Sequence, residues 1–240
     1  MFGRRMTCVL AVAGLVAVAL AGGMAYAGPY DAAVMADSPF LYYRLEEGGG
    51  GTAIDTAGGD QNGTYLGGVT LGEASAAANL GSAGLLSGGY IDVPALGSFP
   101  QHSIEMWVNI DGLAGGCCTS MLSVDSWTSN ADGGTLHYNI KSGRDIEHAI
   151  NGGSPNNVNS IGGLIQNDKW YHIVSTYDAT AGGATKTYVN GALVANGAHT
   201  SARNVNMNFG SQIGAWNGGR NLPGHIDDCL LYTSPSPRDL

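Results

Sequence analysis

The stretch "DTAGGDQNG" sets Asp55, Asp60, Asn62 and several backbone carbonyls on one glycine-rich loop. Hard oxygen donors of that kind are what Ca²⁺ takes; the same residues equally suit a turn closed by Asp and Asn side chains. Recognition of a sugar is a second chemistry, and it needs an aromatic plane for the ring face beside polar groups for the hydroxyl edge. Trp216, Asn217 and Arg220 in "GAWNGGRN" offer both, as does Trp127 with Asp125 and Asn130 in "VDSWTSN". Hydrolysis is not signalled. No H-E-x-x-H pair and no G-x-S-x-G turn occurs, and His137, His148 and His172 fall in strand-like stretches, where a hydrogen-bonded histidine is the ordinary case.

The elements that must hold these groups are strands. Ile104, Met106, Val108 and Ile110 alternate with polar or edge residues, as do Leu136, Tyr138 and Ile140, and period two marks a strand with one buried face. "WYHIVSTY" and "TKTYVNGALVA" follow, the second carrying Asn190-Gly191, a pair that tolerates the positive φ angles of a two-residue hairpin. Shorter strands are expected over 40–45, 64–71, 90–93, 121–124, 145–150, 207–209 and 212–215, with one helical turn over 31–36 stopped by Pro39. The 39 glycines, ~twice the usual share, and a charged content of only 12% suit many tight turns between uncharged strands. About a dozen such segments with no repeat or composition break predict one all-β domain of two packed antiparallel sheets.

Arg4-Arg5, the apolar run 9–21 and Ala25-Tyr26-Ala27 form a targeting segment, so the mature chain is expected to begin at Gly28 and to be exported. A net charge of -9 argues against nucleic acid and anionic membrane as partners. Export permits disulfides. Cys117 and Cys118 are adjacent, and both a pair of loop thiols and bridges to another domain fit them. Asn62-Gly63-Thr64 matches a glycosylation acceptor and also an Asn-Gly turn.

Eight pieces in order, "DSPFLYYRLEE", "AIDTAGGDQNGTYLGGVTLG", "YIDVP", "SIEMWVN", "KWYHIVSTYD", "YVNGALV", "QIGAW" and "GHIDD", resemble the laminin G-like branch of the concanavalin A-like lectin/glucanase superfamily. The resemblance implies a jelly-roll β-sandwich over 28–228 that serves as an extracellular binding or adhesion module. It also implies one structural Ca²⁺ between Asp55 and Asp227, with Asn62, Asp228 and Gly58 as further ligands. It places Trp107 and Trp170 at packed positions. Glucanases of this superfamily set two carboxylates on one strand face; here Glu105 is followed by Trp107 where the second would stand, so no enzyme is expected. The alternatives are a hydrolase or lyase working through Glu105, His137 and Tyr138, and a spacer domain of a longer surface protein. The expected partner is carbohydrate or an extracellular protein surface, met through Trp216, Arg220, Asn217 and Trp127.

The last residues, "CLLYTSPSPRDL", resemble a translated transposase sequencing adapter. That likeness predicts that the gene's own coding ends at Asp228 in this chain, that Cys229 is not native, and that the closing strand frays after Tyr232.

Overall fold

A computed structural model of the chain describes residues 28–126, 129–130, 133–151 and 156–234. Residues 1–27, where a targeting segment is expected, Trp127 and the residues after 234 lie outside them. Helix α1 (Pro29–Ala36) opens with proline, whose missing N–H has no helical partner to lose, and Asp31 Oδ2 accepts the Gly28 N–H at 2.7 Å. The strands are β1 (Leu41–Tyr43), β2 (Thr52–Ala53), β3 (Gly63–Leu66), β4 (Val69–Ala74), β5 (Ser82–Leu86), β6 (Tyr90–Val93), β7 (Ser98–Phe99), β8 (Gln101–Ile110), β9 (Cys118–Val124), β10 (Ser129–Asn130), β11 (Gly133–Lys141), β12 (Ile146–Asn151), β13 (Asn157–Asn159), β14 (Trp170–Asp178), β15 (Ala184–Val189), β16 (Ala192–Ala198), β17 (Val205–Asn206), β18 (Ser211–Ile213) and β19 (Gly224–Tyr232). Two sheets form. The first runs β16-β15-β14-β8-β19-β5-β4 with β1 beside the later half of β19; the second runs β13-β12-β11-β9-β18-β6-β3-β2 with β10, β17 and β7 alongside.

Their inner faces make the core. Ile104, Met106, Val108 and Ile110 of β8 and Ile226, Cys229 and Leu231 of β19 meet Leu136, Tyr138 and Ile140 of β11. Each such buried side chain contributes about 1.5–3 kcal/mol of transfer free energy. The hairpin at Asn190-Gly191 forms as the pair requires, with φ of 50° and 78° and Val189 opposite Ala192. Two expected strands differ. The segment 64–71 splits at Gly67-Gly68, because β3 pairs with β6 in one sheet while β4 pairs with β5 in the other. Residues 207–209 are coil: Val205 and Asn206 do the pairing, and Met207 turns into the core.

The closing strand crosses the expected boundary at Asp228. A bulge at Asp227 and Asp228 resets the alternation, after which Cys229 and Leu231 face the core and Leu230 and Tyr232 face outward. α1 covers that outer patch with Tyr30 and Val34, against Tyr42, Leu230 and Tyr232. The apolar run 229–232 therefore reads physically as strand.

At one end three buried histidines join the sheets. His199 Nδ1 lies 2.9 Å from the Asn156 carbonyl, His148 Nδ1 lies 3.1 Å from His199 Nε2, and His102 Nε2 lies 3.0 Å from His148 Nε2. A carbonyl only accepts, so His199 must donate from Nδ1, and each nitrogen pair then holds one proton in turn. The result is one tautomer for every ring and a directed row that ends at His102 Nδ1, a buried acceptor without a hydrogen-bond partner. Burial holds all three below the ordinary histidine value, His102 down to about 3.

Candidate functional site

Residues directly opposite in a ladder share a face. Across the outer face of the second sheet, Ser123 of β9 stands between His137 of β11 and Gln212 of β18, with Asp92 of β6 beyond; one step along, Ser120 and Glu147 flank Asn139. The loop after β18 folds back over this row. Trp216 and Gly219 exchange backbone hydrogen bonds of 2.7 and 2.8 Å around Asn217 and Gly218, whose φ angles of 47° and 68° make the turn tight. Gln212 Oε1 accepts the Gly218 N–H at 2.9 Å, and Ser120 N–H donates to the Arg220 carbonyl at 2.9 Å.

The loop is thereby pinned at both ends. Trp216 lies over His137 at 5.4 Å between ring centroids, and the Arg220 guanidinium lies 4.3 Å above the indole. Burial, with the nearby Arg220 charge adding, pushes His137 down to about 4, so a neutral imidazole sits beneath the indole. Asn217 is exposed and Arg220 half-exposed, with Asp125 accepting the Asn217 N–H at 3.3 Å. Trp216, Asn217 and Arg220 thus sit together on one turn, and Trp127 lies outside the described residues. His137 and Gln212, which fix them, were missed: only the ladder register identifies them. One indole face already carries Arg220, so the groups offered outward are the guanidinium edge and the Asn217 amide.

The expected calcium ligands do not converge. Asp55 is buried, with Oδ1 accepting the Tyr42 and Ala57 N–H groups at 3.0 Å each and Oδ2 accepting Gln61 N–H at 3.3 Å; Asn62 Oδ1 accepts the Asp55 N–H at 2.8 Å. Gly58, at φ 88°, completes that turn. Asp227 instead accepts from Ser75 Oγ and from the Asp228 N–H at 2.9 Å. Asp228 meets the far end of Tyr42, its Oδ1 2.6 Å from the phenol oxygen. Among the described residues no three His, Cys, Asp or Glu side chains form a metal-binding group. Burial raises Asp227 to about 7 and Asp228 to about 8, the second helped by the first. Tyr42 has one hydrogen for two neighbours, Asp31 at 2.8 Å and Asp228, and a protonated Asp228 supplies the second. Hydrogen bonds from within the chain thus occupy the oxygens of Asp55 and Asp227, whereas Asp228 Oδ2 is buried without one.

The residues named for catalysis diverge. Glu105 and Trp107 point outward from the first sheet, His137 outward from the second, and Tyr138 into the core between them, where Ser175 Oγ is 2.9 Å from its hydroxyl. Glu105 is buried and receives Tyr30 OH and His172 Nε2, both at 2.9 Å. Trp107 and Trp170 belong to the outer face and are half-buried, not part of the core cluster. Cys117 and Cys118 are joined to each other by a disulfide, in place of two thiols or bridges elsewhere, and Cys229 is a buried thiol.

Two antiparallel sheets packed face to face, with polar groups carried on loops at the rim, define a jelly-roll β-sandwich. The chain belongs to the concanavalin A-like lectin/glucanases superfamily, whose laminin G-like family model matches residues 85–237. No curated protein matches it by sequence. Solved structures share the fold. Domain 4 of AbnA, a GH43 extracellular arabinanase from Geobacillus stearothermophilus, in complex with arabinotriose, is 20% identical with a TM-score of 0.57, over 84% of this chain and 95% of that one. A botulinum neurotoxin type C structure, described as dependent for cell entry on two ganglioside molecules, is 16% identical with a TM-score of 0.59, over 85% and 49%. The binding domain of Paraclostridial Mosquitocidal Protein 1 is 14% identical with a TM-score of 0.60, over 85% and 51%. This chain spans about half of each toxin chain. Among the described residues no helix is long and apolar enough to cross a membrane.

Proposed function

We propose that this chain is an exported, non-catalytic module that binds carbohydrate. The observation that carries the reading is the pinned loop 216–220, which holds a guanidinium and an amide at the sandwich rim on an indole that is itself fixed by His137. Planar, forked donors on a rigid base are suited to the paired hydroxyls of a sugar. Support comes from the fold: the arabinanase domain, matched over 95% of its length, was solved in complex with arabinotriose, and a neurotoxin of which about half shares the fold depends on gangliosides for cell entry. The divergence of Glu105, His137 and Tyr138 supports the absence of catalysis, and Arg4-Arg5 with the run 9–21 supports export. A glycan array read with and without chelator tests the proposal. Binding is expected, unchanged by chelator and weakened about tenfold in Arg220→Ala, a loss of about 1.4 kcal/mol. An array on which no glycan binds refutes it.

A further inference from the structure

The outer face of the first sheet carries a cluster that neither the loop 216–220 nor the core accounts for. Across β14, β8 and β19 two rows stand side by side: Trp170, Asn109 and His225, then His172, Trp107 and Asp227. The rings pair off within each row, Trp107 with His172 at 4.9 Å and Trp170 with His225 at 6.1 Å between centroids. Trp107, Trp170, His172, His225 and Asn109 are all half-buried. α1 covers the neighbouring outward residue Leu230, and its Tyr30 reaches both Glu105 and the Trp107 side chain at one end of the cluster.

Polar atoms in the cluster are left without a hydrogen bond. Asn109 Oδ1 and His225 Nδ1 are buried without a hydrogen bond, although buried polar atoms are satisfied in the great majority of cases. They lie in the row that also carries Trp170. Positions diagonal across a strand pair are about 7–8 Å apart, so Trp170 and Trp107 occupy neighbouring positions of one face, with Asn109 directly opposite Trp170.

We infer that this face is a second carbohydrate site, taking a neutral oligosaccharide whose successive rings lie against Trp170 and Trp107 and whose hydroxyls satisfy Asn109 and His225. Charge selects the class. The Glu105 carboxylate shares this face, and the chain as a whole is acidic, so acidic polysaccharides are repelled while uncharged hydroxyls lose nothing. The indoles supply the apolar half of the contact and the amide and imidazole the polar half. This inference rests on the reading of the chain as a glycan-binding module, and it places a site on the opposite sheet from Arg220.

The test uses cellohexaose, laminarihexaose and xylohexaose as probes on the full mature chain. Indole oxidation by N-bromosuccinimide, mapped by peptide mass, is followed with and without each sugar, and affinity is measured calorimetrically for Trp170→Ala and Trp107→Phe. At least one hexaose is expected to protect Trp107 and Trp170 from oxidation, and each variant to lose about tenfold in affinity at that site. Protection confined to Trp216, with wild-type affinity in both variants, overturns this inference and leaves the binding module standing. No binding of any hexaose, when the array also shows none, overturns both. The oxidation map on the unaltered protein decides the matter even where a variant fails to fold.

Discussion

Replacing His102 by leucine should remove one source of acid sensitivity from the stability of the fold. In the unfolded chain a histidine titrates near 6.5, whereas burial holds folded His102 at about 3. Between about pH 7.5 and about pH 5 the unfolded state therefore takes up nearly a whole proton at this residue and the folded state almost none. Stability falls over that window by about 2 kcal/mol from His102 alone. Asp227 and Asp228 act in the opposite sense: their folded values of about 7 and 8 lie above the unfolded carboxylate range, so acidification through the same window stabilises the fold. Those two carboxylates are common to both proteins, however, and cancel in the difference. Urea unfolding followed by tryptophan fluorescence, for wild type and His102→Leu across that range, measures it. The variant is less stable at neutral pH, because His148 Nε2 loses its donor, but its disadvantage should shrink by about 2 kcal/mol on acidification. Parallel profiles would refute the proton count in the histidine row.

Other outcomes follow from the same geometry. Asp228→Asn should become more stable than wild type as the solution is made alkaline, gaining about 3 kcal/mol between about pH 5 and pH 8, since the aspartate must ionise in a buried site and the amide need not; equal urea midpoints at both ends would exclude it. Added Ca²⁺ should move the melting temperature by less than ~1 °C, where a site saturated a hundredfold over its Kd would add about 2.7 kcal/mol; a larger rise means the donors of Asp55 or Asp227 rearrange. Gly224→Ala should lose about 3 kcal/mol, because φ is 144° and the new carbon would strike the Asn109 carbonyl and Ile110. An unchanged denaturation midpoint would show that β19 enters the sheet differently.

The sandwich was legible because its strands alternate. Ile104 to Ile110 and Leu136 to Ile140 carry the core in period two, and Asn190-Gly191 fixes a hairpin by backbone conformation alone, so no distant information is needed. The Gly67-Gly68 handover between sheets was not legible: both flanks read as strand, and only the identity of their partners separates them. The same limit applies to function. Trp216, Asn217 and Arg220 are neighbours in sequence and could be read as a loop, whereas Trp107, Trp170 and His225 come from three strands that only the register of β8 brings side by side. Asp55 and Asp227 matched a family pattern, but hydrogen bonds from backbone N–H groups and from Ser75 claim their oxygens, and such claims leave no trace in residue types.

The position of β19 bears on how the molecule comes to exist. This strand, drawn from Gly224–Tyr232, lies in the interior of the first sheet between β8 and β5 and also pairs with β1 near the start of the described chain. Neither β8 nor β5 can complete its ladder until more than a hundred further residues have been synthesised. Contacts so distant along the chain slow folding, and until they close, the edges of β8 and β5 stay open to wrong partners. A nascent chain of this topology therefore stays unfolded through most of its synthesis.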